Sequence, residues 1–193
     1  MKITFREFKD SDYLTYKKLN KIYRFDCKKQ NDSGYLSRIE KNGYLVGSPV
    51  NKSFWKKVIF SRCALINGKV VGITRVEEMT SKMENPKSKL TWLGSLSLKK
   101  KFLNEKGRLI GVVLVDPKYK RKGIAKLLFQ EIETHAKKNK CEDLFSWIVT
   151  KPFNKPSFMF HQKLGFKIVA IYDAKESFGI FDYQSKLFYK QIK

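Results

Sequence analysis

The 193-residue chain has 41 Lys and Arg residues against 18 Asp and Glu residues, a formal net charge of +23 at pH 7. This length predicts one domain, and 42% hydrophobic residues can build a core, so the charge does not indicate disorder. We expect no membrane helix and no signal peptide, because long apolar runs are absent and the N-terminus is charged. Cys27, Cys63 and Cys141 are too widely separated for a disulfide framework or a metal site, which favours a cytoplasmic globular protein.

The positive charge has two explanations. Both halves of the chain carry a similar excess of basic residues, and most of these are Lys rather than Arg. A Lys-rich surface that reflects compositional bias is the first explanation. An anionic partner, such as a nucleic acid, an acidic protein surface or a phosphorylated cofactor, is the second.

The N-terminal part of the chain is predicted to form a strand followed by helices. Residues 3–8 alternate like a half-buried strand, and apolar residues from Tyr13 to Tyr23 recur at helical spacing. A second helix is expected between the capping residues 31–33 and the stop signal Asn42-Gly43. A short third helix is expected from Ser53 through Val58.

The middle of the chain contains a clear hairpin signal. Asn67-Gly68, a pair that favours a tight primed turn, separates apolar runs at 63–66 and 70–73. Polar residues at 79–88 then predict a loop, and residues 90–98 are strand-like. Residues 99–107 are expected to form a charged connection.

Strands and helices alternate in the C-terminal half, which favours an α/β sheet. Residues 109–115 are continuously apolar and mostly β-branched, as is typical of a strand buried on both faces. An amphipathic helix is predicted from Gly123 through Ala136. The remaining predicted elements are a strand at 144–149, a helix at 155–164, and strands at 168–172 and 187–192 that a loop separates.

The most informative segment follows the buried strand. Val115 leads into a basic turn at 118–122, and Gly123, Ile124 and Ala125 then begin the helix. Unpaired N–H groups and the helix dipole attract an anion there, and small residues let a diphosphate approach the backbone. The segment therefore predicts a pyrophosphate site, although it is neither a dinucleotide-binding fingerprint nor a P-loop. An ordinary strand-turn-helix on a basic surface is the alternative.

A second segment contains Asn154, Ser157, His161 and the pair Gly165-Phe166. The first segment, residues 120–125, matches the pattern R/Q-x-x-G-x-G/A except that its first residue is Lys. In this order and spacing, the two segments resemble the GNAT superfamily of acetyl-CoA-dependent N-acyltransferases. The resemblance is firm over residues 109–167.

The resemblance implies a cofactor-binding role for each matched residue. The backbone of Val113, Leu114 and Val115 is expected to pair with the pantetheine arm of acetyl-CoA. Asn154 is expected to hydrogen-bond this arm, and Ser157 to keep the neighbouring helix close. The pyrophosphate is expected to bind backbone N–H groups of the turn and the helix start, at Lys120, Arg121, Lys122, Gly123, Ile124, Ala125 and Lys126.

The resemblance also implies a direct attack of an acceptor amine on the thioester, with the oxyanion held by a backbone N–H of the central strand. His161 occupies the position of a Tyr that protonates the departing thiolate in many relatives, and packing beside Phe158 and Phe160 is its alternative role. Certain relatives carry a catalytic Glu on the strand that precedes the second motif, and none is found there. Glu77 and Glu78 are the nearest alternative carboxylates, although such a charge pair is usually solvated.

We therefore expect a single α/β domain over residues 1–193, with a GNAT-like mixed, mostly antiparallel sheet that is splayed in the middle and flanked by helices. The expected function is transfer of an acetyl group from acetyl-CoA to a primary amine in a ternary complex, without a metal. Additional segments at 24–60 and 79–107 are expected to shape the acceptor side, and the charge fits a polyanionic acceptor such as RNA. The alternative is a non-catalytic GNAT-like module that binds RNA or a protein partner.

Overall fold

The computed structural model describes residues 2–22, 44–45, 48–49, 58–78, 88–103, 108–151, 154–177 and 180–192. The strands are β1 (Thr4–Arg6), β2 (Tyr44–Leu45), β3 (Ser48–Pro49), β4 (Val58–Ile66), β5 (Lys69–Glu78), β6 (Ser88–Trp92), β7 (Arg108–Val115), β8 (Asp143–Lys151), β9 (Lys167–Ser177) and β10 (Ile180–Gln191). The helices are α1 (Tyr13–Ile22), α2 (Leu96–Leu103), α3 (Ile124–Lys138) and α4 (Lys155–Lys163).

Eight of these strands form one mixed sheet in the order β1-β4-β5-β7-β8-β10-β9-β6. Strands β7 and β8 run parallel, and the other neighbouring pairs are antiparallel. Strands β2 and β3 form a separate two-stranded sheet. The predicted fold class, a mixed and mostly antiparallel sheet flanked by helices, is confirmed.

Helices α1 and α3 cover opposite faces of the first half of the sheet. Leu114 packs against Tyr16 of α1, whereas the next residue, Val115, packs against Ile124 and Leu128 of α3. Successive strand residues point to opposite faces, so the two helices lie on opposite sides. Ile124 and Leu128 are only 1% and 0% exposed, and burying each side chain contributes about 1.5–3 kcal/mol, which fixes the start of α3 on the sheet.

The predicted hairpin is confirmed and determines how β4 and β5 pair. Asn67 and Gly68 both have positive φ, 50° and 74°, as a primed two-residue turn requires. The predicted helix at 13–23, the strand at 109–115 and the two C-terminal helices are also found within a few residues of their expected limits. The predicted helix after residues 31–33 lies outside the described residues.

The predicted strand at 90–98 is found only as far as Trp92, and the charged connection predicted at 99–107 is wrong over residues 99–103, which belong to a helix; residues 104–107 lie outside the described ranges. Strand β6 ends at Trp92 and α2 begins at Leu96, so the strand-like alternation of Leu and Ser at 95–98 belongs to a helix start. The Ser95 hydroxyl accepts a hydrogen bond from the Leu98 N–H at 3.2 Å, and Trp92 Nε1 donates to the Ser95 carbonyl at 3.1 Å. Phe102 then anchors the helix with its ring centroid 5.2 Å from that of Phe145.

Two other predictions need correction. The predicted loop between 172 and 187 is mostly strand, because β9 continues to Ser177 and β10 begins at Ile180. Tyr183 lies opposite Ala174 with both side chains buried, and this cross-strand packing extends the hairpin. Val58, the expected end of a short helix, instead begins β4 opposite Glu77, and residues 53–57 lie outside the described ranges.

Candidate active site

The centre of the sheet opens between β7 and β8. These parallel strands pair only at Arg108 with Leu144 and at Leu109 with Phe145. Beyond Leu109, β7 stays paired with β5 on its other side as far as Val115. One backbone edge of β7 therefore faces an opening where a neighbouring strand would ordinarily donate and accept hydrogen bonds.

The turn that leads from β7 to α3 is held in place at its start by Asp116. The Asp116 N–H donates to the Val71 carbonyl at 2.8 Å, and the Asp116 carboxylate accepts from the Lys118 N–H at 2.9 Å. Arg121 and Gly123 then have positive φ, 63° and 78°. The turn is thus a defined left-handed structure, and Gly123 adopts its conformation without the strain of a side chain.

The start of α3 presents free backbone donors to open space. Its N-cap, Gly123, has no side chain to cap the helix, and a Cβ added there would have no heavy atom of the described residues within 4 Å. The first α-helical hydrogen bond joins the Leu127 N–H to the Gly123 carbonyl at 3.1 Å. The N–H groups of Ile124, Ala125 and Lys126 therefore precede the helical ladder and are available to an anion.

Basic side chains surround these donors, and no acidic residue lies in the first turn of α3. Lys122 Nζ lies 5.3 Å from the centre of the Tyr119 ring, which holds its charge near the turn. Backbone N–H groups, the helix dipole and exposed cations together suit a diphosphate. The exposed basic residues are Lys118, Lys120, Arg121, Lys122 and Lys126.

The second motif lies at the same end of the sheet, because β7 and β8 are parallel and each is followed by its helix. Asn154 is the N-cap of α4, and its Oδ1 accepts a hydrogen bond from the Ser157 N–H at 3.3 Å. The Asn154 N–H donates to the Val149 carbonyl at 3.2 Å, which ties the cap to β8. The cap uses the side-chain oxygen of Asn154, so its Nδ2 amide can donate to a ligand.

His161 lies in the core beneath α4. It is 4% exposed, and its ring is 5.2–6.3 Å from the rings of Phe129, Phe160, Phe166 and Phe188. Its Nδ1 lies 2.8 Å from the Ser157 carbonyl, a geometry in which Nδ1–H donates, and its buried Nε2 has no hydrogen-bond partner among the described residues. Burial lowers the pKa of His161, so the ring is neutral at pH 7. This geometry favours the packing role; the catalytic role stays a prediction.

A buried polar chain joins α1 to β5 near the opening of the sheet. Arg75 Nη1 donates to the Tyr16 hydroxyl at 2.6 Å, and Arg75 Nε donates to Glu77 Oε1 at 2.7 Å. Arg75 is fully buried, whereas the Glu77 side chain keeps 14% of its exposure. Burial raises the pKa of Glu77 above its usual value, and the ion pair with Arg75 opposes this rise.

The Glu77 carboxylate lies directly over Gly111 of β7. The β5–β7 register shifts there: Arg75 is opposite Val112 and Val76 is opposite Ile110, so Gly111 is the additional residue of a β-bulge. A Cβ on Gly111 would overlap the Glu77 carboxylate. Only glycine thus leaves room for the carboxylate at this point.

Glu77 was a candidate from the sequence, whereas Arg75, Tyr16 and Gly111 were not. The available signal was Arg75 itself, a charged residue in a strand that is otherwise buried from Val71 to Val76. A buried charge requires a partner, so the strand pattern alone indicated a polar chain here. The side chain of Glu78, the other candidate carboxylate, lies outside the described part of the molecule.

Within the described ranges, no group of three or more His, Cys, Asp or Glu residues could hold a metal ion. In the same part of the chain, no helix is both long and apolar enough to cross a membrane.

Comparison with solved structures places the fold among acetyltransferases. Arabidopsis thaliana NAA60 in complex with acetyl-CoA is 16% identical, with a TM-score of 0.64 over 99% of this chain and 100% of that one. The PaiA N-acetyltransferase from Thermoplasma acidophilum, in complex with coenzyme A, is 16% identical, with a TM-score of 0.63 over 99% of each chain. The Escherichia coli ribosomal-protein-S18-alanine N-acetyltransferase is 11% identical, with a TM-score of 0.59 over 100% of this chain and 95% of that one.

The sequence comparisons give the family. A search of curated proteins finds no match. The model of the acetyltransferase (GNAT) family matches residues 51–166, well over half of the chain, and this range includes both motifs, the bulge at Gly111 and the opening between β7 and β8. The expectation drawn from the motifs is confirmed, and the chain belongs to the acetyltransferase (GNAT) family.

Proposed function

We propose that this protein is an N-acetyltransferase that moves an acetyl group from acetyl-CoA to a primary amine. The observation that carries the proposal is the meeting, at one end of the sheet, of the open edge of β7 with the basic start of α3. The Arabidopsis and Thermoplasma proteins were solved in complex with acetyl-CoA and coenzyme A, which supports this choice of donor.

In this proposal the start of α3 binds the pyrophosphate. The backbone N–H groups from Arg121 through Lys126 donate to its oxygens, and the exposed Lys and Arg side chains of the turn add charge. Lys120 takes part through its side chain, because its N–H already donates to the Pro117 carbonyl at 3.2 Å. Lys120 stands where the family pattern has Arg or Gln, which leaves the backbone donors unchanged. The missing side chain at Gly123 keeps the space in front of the turn open.

The open edge of β7 binds the pantetheine arm. Leu114 is buried and Val113 packs against the core, so these two residues offer their backbone rather than their side chains. Val115, the third residue predicted to pair with the arm, is also buried. Across the opening, Asn154 donates from Nδ2 to the arm, and its bond to the Ser157 N–H keeps the start of α4 at the end of β8. The pantetheine arm then forms hydrogen bonds with the part of β7 that does not pair with β8.

Acetyl-CoA supplies a thioester carbonyl, which the acceptor amine attacks directly in a ternary complex. Backbone N–H groups on the open edge of β7 are donors fixed in position before the reaction, and such donors stabilise a developing oxyanion. Among the described residues, the group suited to receive a proton near this edge is the Glu77 carboxylate rather than His161, whose Nε2 is enclosed by rings.

The acceptor is proposed to lie on a phosphate-bearing macromolecule such as RNA, because the chain carries a net charge of +23. Binding of a 20-nucleotide RNA is expected to weaken steeply as salt rises, because each neutralised phosphate releases counterions. Binding that is absent or insensitive to salt would leave the charge as a surface bias and contradict this part of the proposal.

The donor site is tested by calorimetry with coenzyme A. Gly123→Glu places a carboxylate in front of the helix start, and Kd is expected to rise at least about tenfold, or about 1.4 kcal/mol. Gly68→Glu is the matched control, because Gly68 also has positive φ and open space around it but lies in the β4–β5 turn. Equal binding by wild type and Gly123→Glu would refute the proposal. Coenzyme A binding without acetylation of any amine in a broad panel would favour a non-catalytic module.

A further inference from the structure

The polar chain of Tyr16, Arg75 and Glu77 lies where β7 leaves β8. Glu77 is opposite Leu109, the last residue of β7 that pairs with β8, and its carboxylate lies over Gly111, two residues further along. The pyrophosphate site follows the other end of β7. A donor arm that runs along β7 from that site therefore brings its acyl end toward Gly111 and Glu77.

One carboxylate oxygen of Glu77 is held by Arg75, and the other can contact a ligand. In the described part of the chain, its ion pair with Arg75 runs through Oε1, which leaves Oε2 for a ligand. Tyr16 and Glu77 contact different nitrogens of Arg75, so the guanidinium is held from two sides. A fully buried Arg that is fixed in this way is a rigid support for a carboxylate.

We infer that Glu77 takes the proton of the acceptor amine, and that Arg75, Tyr16 and Gly111 are the positioning residues that hold its carboxylate beside the central strand. This inference rests on the proposed function. The acceptor arrives as an ammonium ion, and Glu77 removes one proton, directly or through one water. The amine nitrogen then forms the N–C bond while the C–S bond breaks.

The second proton of the amine passes to the departing thiolate, and Glu77 returns its own proton to solvent. Each acetyl transfer from an ammonium acceptor thus yields an amide, a thiol and one released proton. A purely structural Glu77 would neutralise Arg75 and take no part in these transfers.

The test compares wild type and Glu77→Gln with two acceptors. The first is the alkylamine of the panel with the highest turnover, which is protonated at neutral pH. The second is hydroxylamine, which is largely unprotonated there and does not need a base. We expect kcat for the alkylamine to fall at least about 100-fold, and kcat for hydroxylamine to fall by much less. Equal losses with both acceptors, or no loss, would overturn the inference.

Two further variants test the positioning residues. Gly111→Ala keeps Glu77 but displaces its carboxylate, so it should reproduce the selective loss of kcat with the alkylamine. The double variant with Glu77→Gln should have the same kcat as Glu77→Gln alone. Tyr16→Phe keeps the ring and removes one support of Arg75, so it should give a smaller selective loss. Additive losses in the double variant would contradict the shared role.

The controls separate this inference from the proposed function. Gln retains the shape of Glu and an oxygen that accepts from Arg75, so Glu77→Gln should keep its Kd for coenzyme A, whereas the loss of the charge that neutralises the buried Arg75 should lower its melting temperature. If Gly111→Ala fails to fold, Glu77→Gln decides the question alone. Wild type that binds coenzyme A but acetylates no amine, whether free or carried by RNA, overturns both proposals. Turnover without selective loss in Glu77→Gln overturns only this one.

Discussion

Asn154 offers a way to separate helix capping from cofactor binding within one side chain. Its Oδ1 caps α4 through the Ser157 N–H, whereas its Nδ2 is the group proposed to donate to the pantetheine arm. Asn154→Asp keeps the capping oxygen and removes the Nδ2 donor. Asn154→Ala removes both groups, so the two variants should differ in stability but not in the direction of their effect on binding.

The expected changes in stability and in coenzyme A binding follow from the contacts of Asn154. Asp and Asn cap helices about equally well, and a carboxylate also interacts favourably with a helix N-terminus, so Asn154→Asp should melt at or slightly above the wild-type temperature. Asn154→Ala should lose about 1 kcal/mol, which for a chain of this size lowers the melting temperature by about 2–4 °C. Loss of one hydrogen bond, about 0.5–1.5 kcal/mol, raises the Kd for coenzyme A about 2- to 10-fold.

Scanning calorimetry measures the stability and titration calorimetry measures the binding. Asn139→Asp is the matched control for binding, because Asn139 is an exposed amide at the opposite end of α3 from the proposed pyrophosphate site. An Asn154→Asp variant that binds coenzyme A as tightly as wild type would refute the donor role and leave Asn154 as a cap alone. Equal melting temperatures for Asn154→Ala and wild type would refute the capping contribution.

Two further predictions concern buried ionisable groups. His161→Leu should keep kcat within a few-fold in a steady-state assay, because the ring is enclosed by aromatic side chains and its Nδ1 already bonds the Ser157 carbonyl; a proton-transfer role instead requires a loss of about 100-fold or more. Asp12→Asn should destabilise the fold at pH 7, because the Arg6 guanidinium holds the pKa of Asp12 below its usual value. A lowered carboxyl pKa stabilises the fold above the unfolded value of about 4, so urea unfolding should show this difference disappear as pH falls through the folded pKa; a constant difference would contradict the ion-pair explanation.

The sequence predicted elements whose signals are local. The turn at Asn67-Gly68 and the apolar stripe of α3 each depend on residues close together in the chain, and both were found where expected. Helix α2 was missed because Leu96 and Leu98 alternate with Ser like a strand, while the cap at Ser95 and the packing of Phe102 on Phe145 depend on tertiary structure.

The candidate site divides in the same way. The start of α3 and the cap at Asn154 could be predicted, because a helix N-terminus is built from consecutive residues. Arg75 lies 59 residues from Tyr16, so their hydrogen bond left no trace in either local pattern. The burial of His161 among rings from α3, α4 and β10 was equally invisible, because those elements meet only in the folded sheet.

Strands β7 and β8 pair at only two positions, Arg108 with Leu144 and Leu109 with Phe145. This short junction divides the sheet into two groups of four strands, β1-β4-β5-β7 and β8-β10-β9-β6, with little shared backbone ladder. A ligand that hydrogen-bonds to the open edge of β7 binds only the folded protein. Its binding therefore raises the free energy of unfolding. At 100 times its Kd such a ligand adds about 2.7 kcal/mol, and the melting temperature therefore reports how fully the opening is filled.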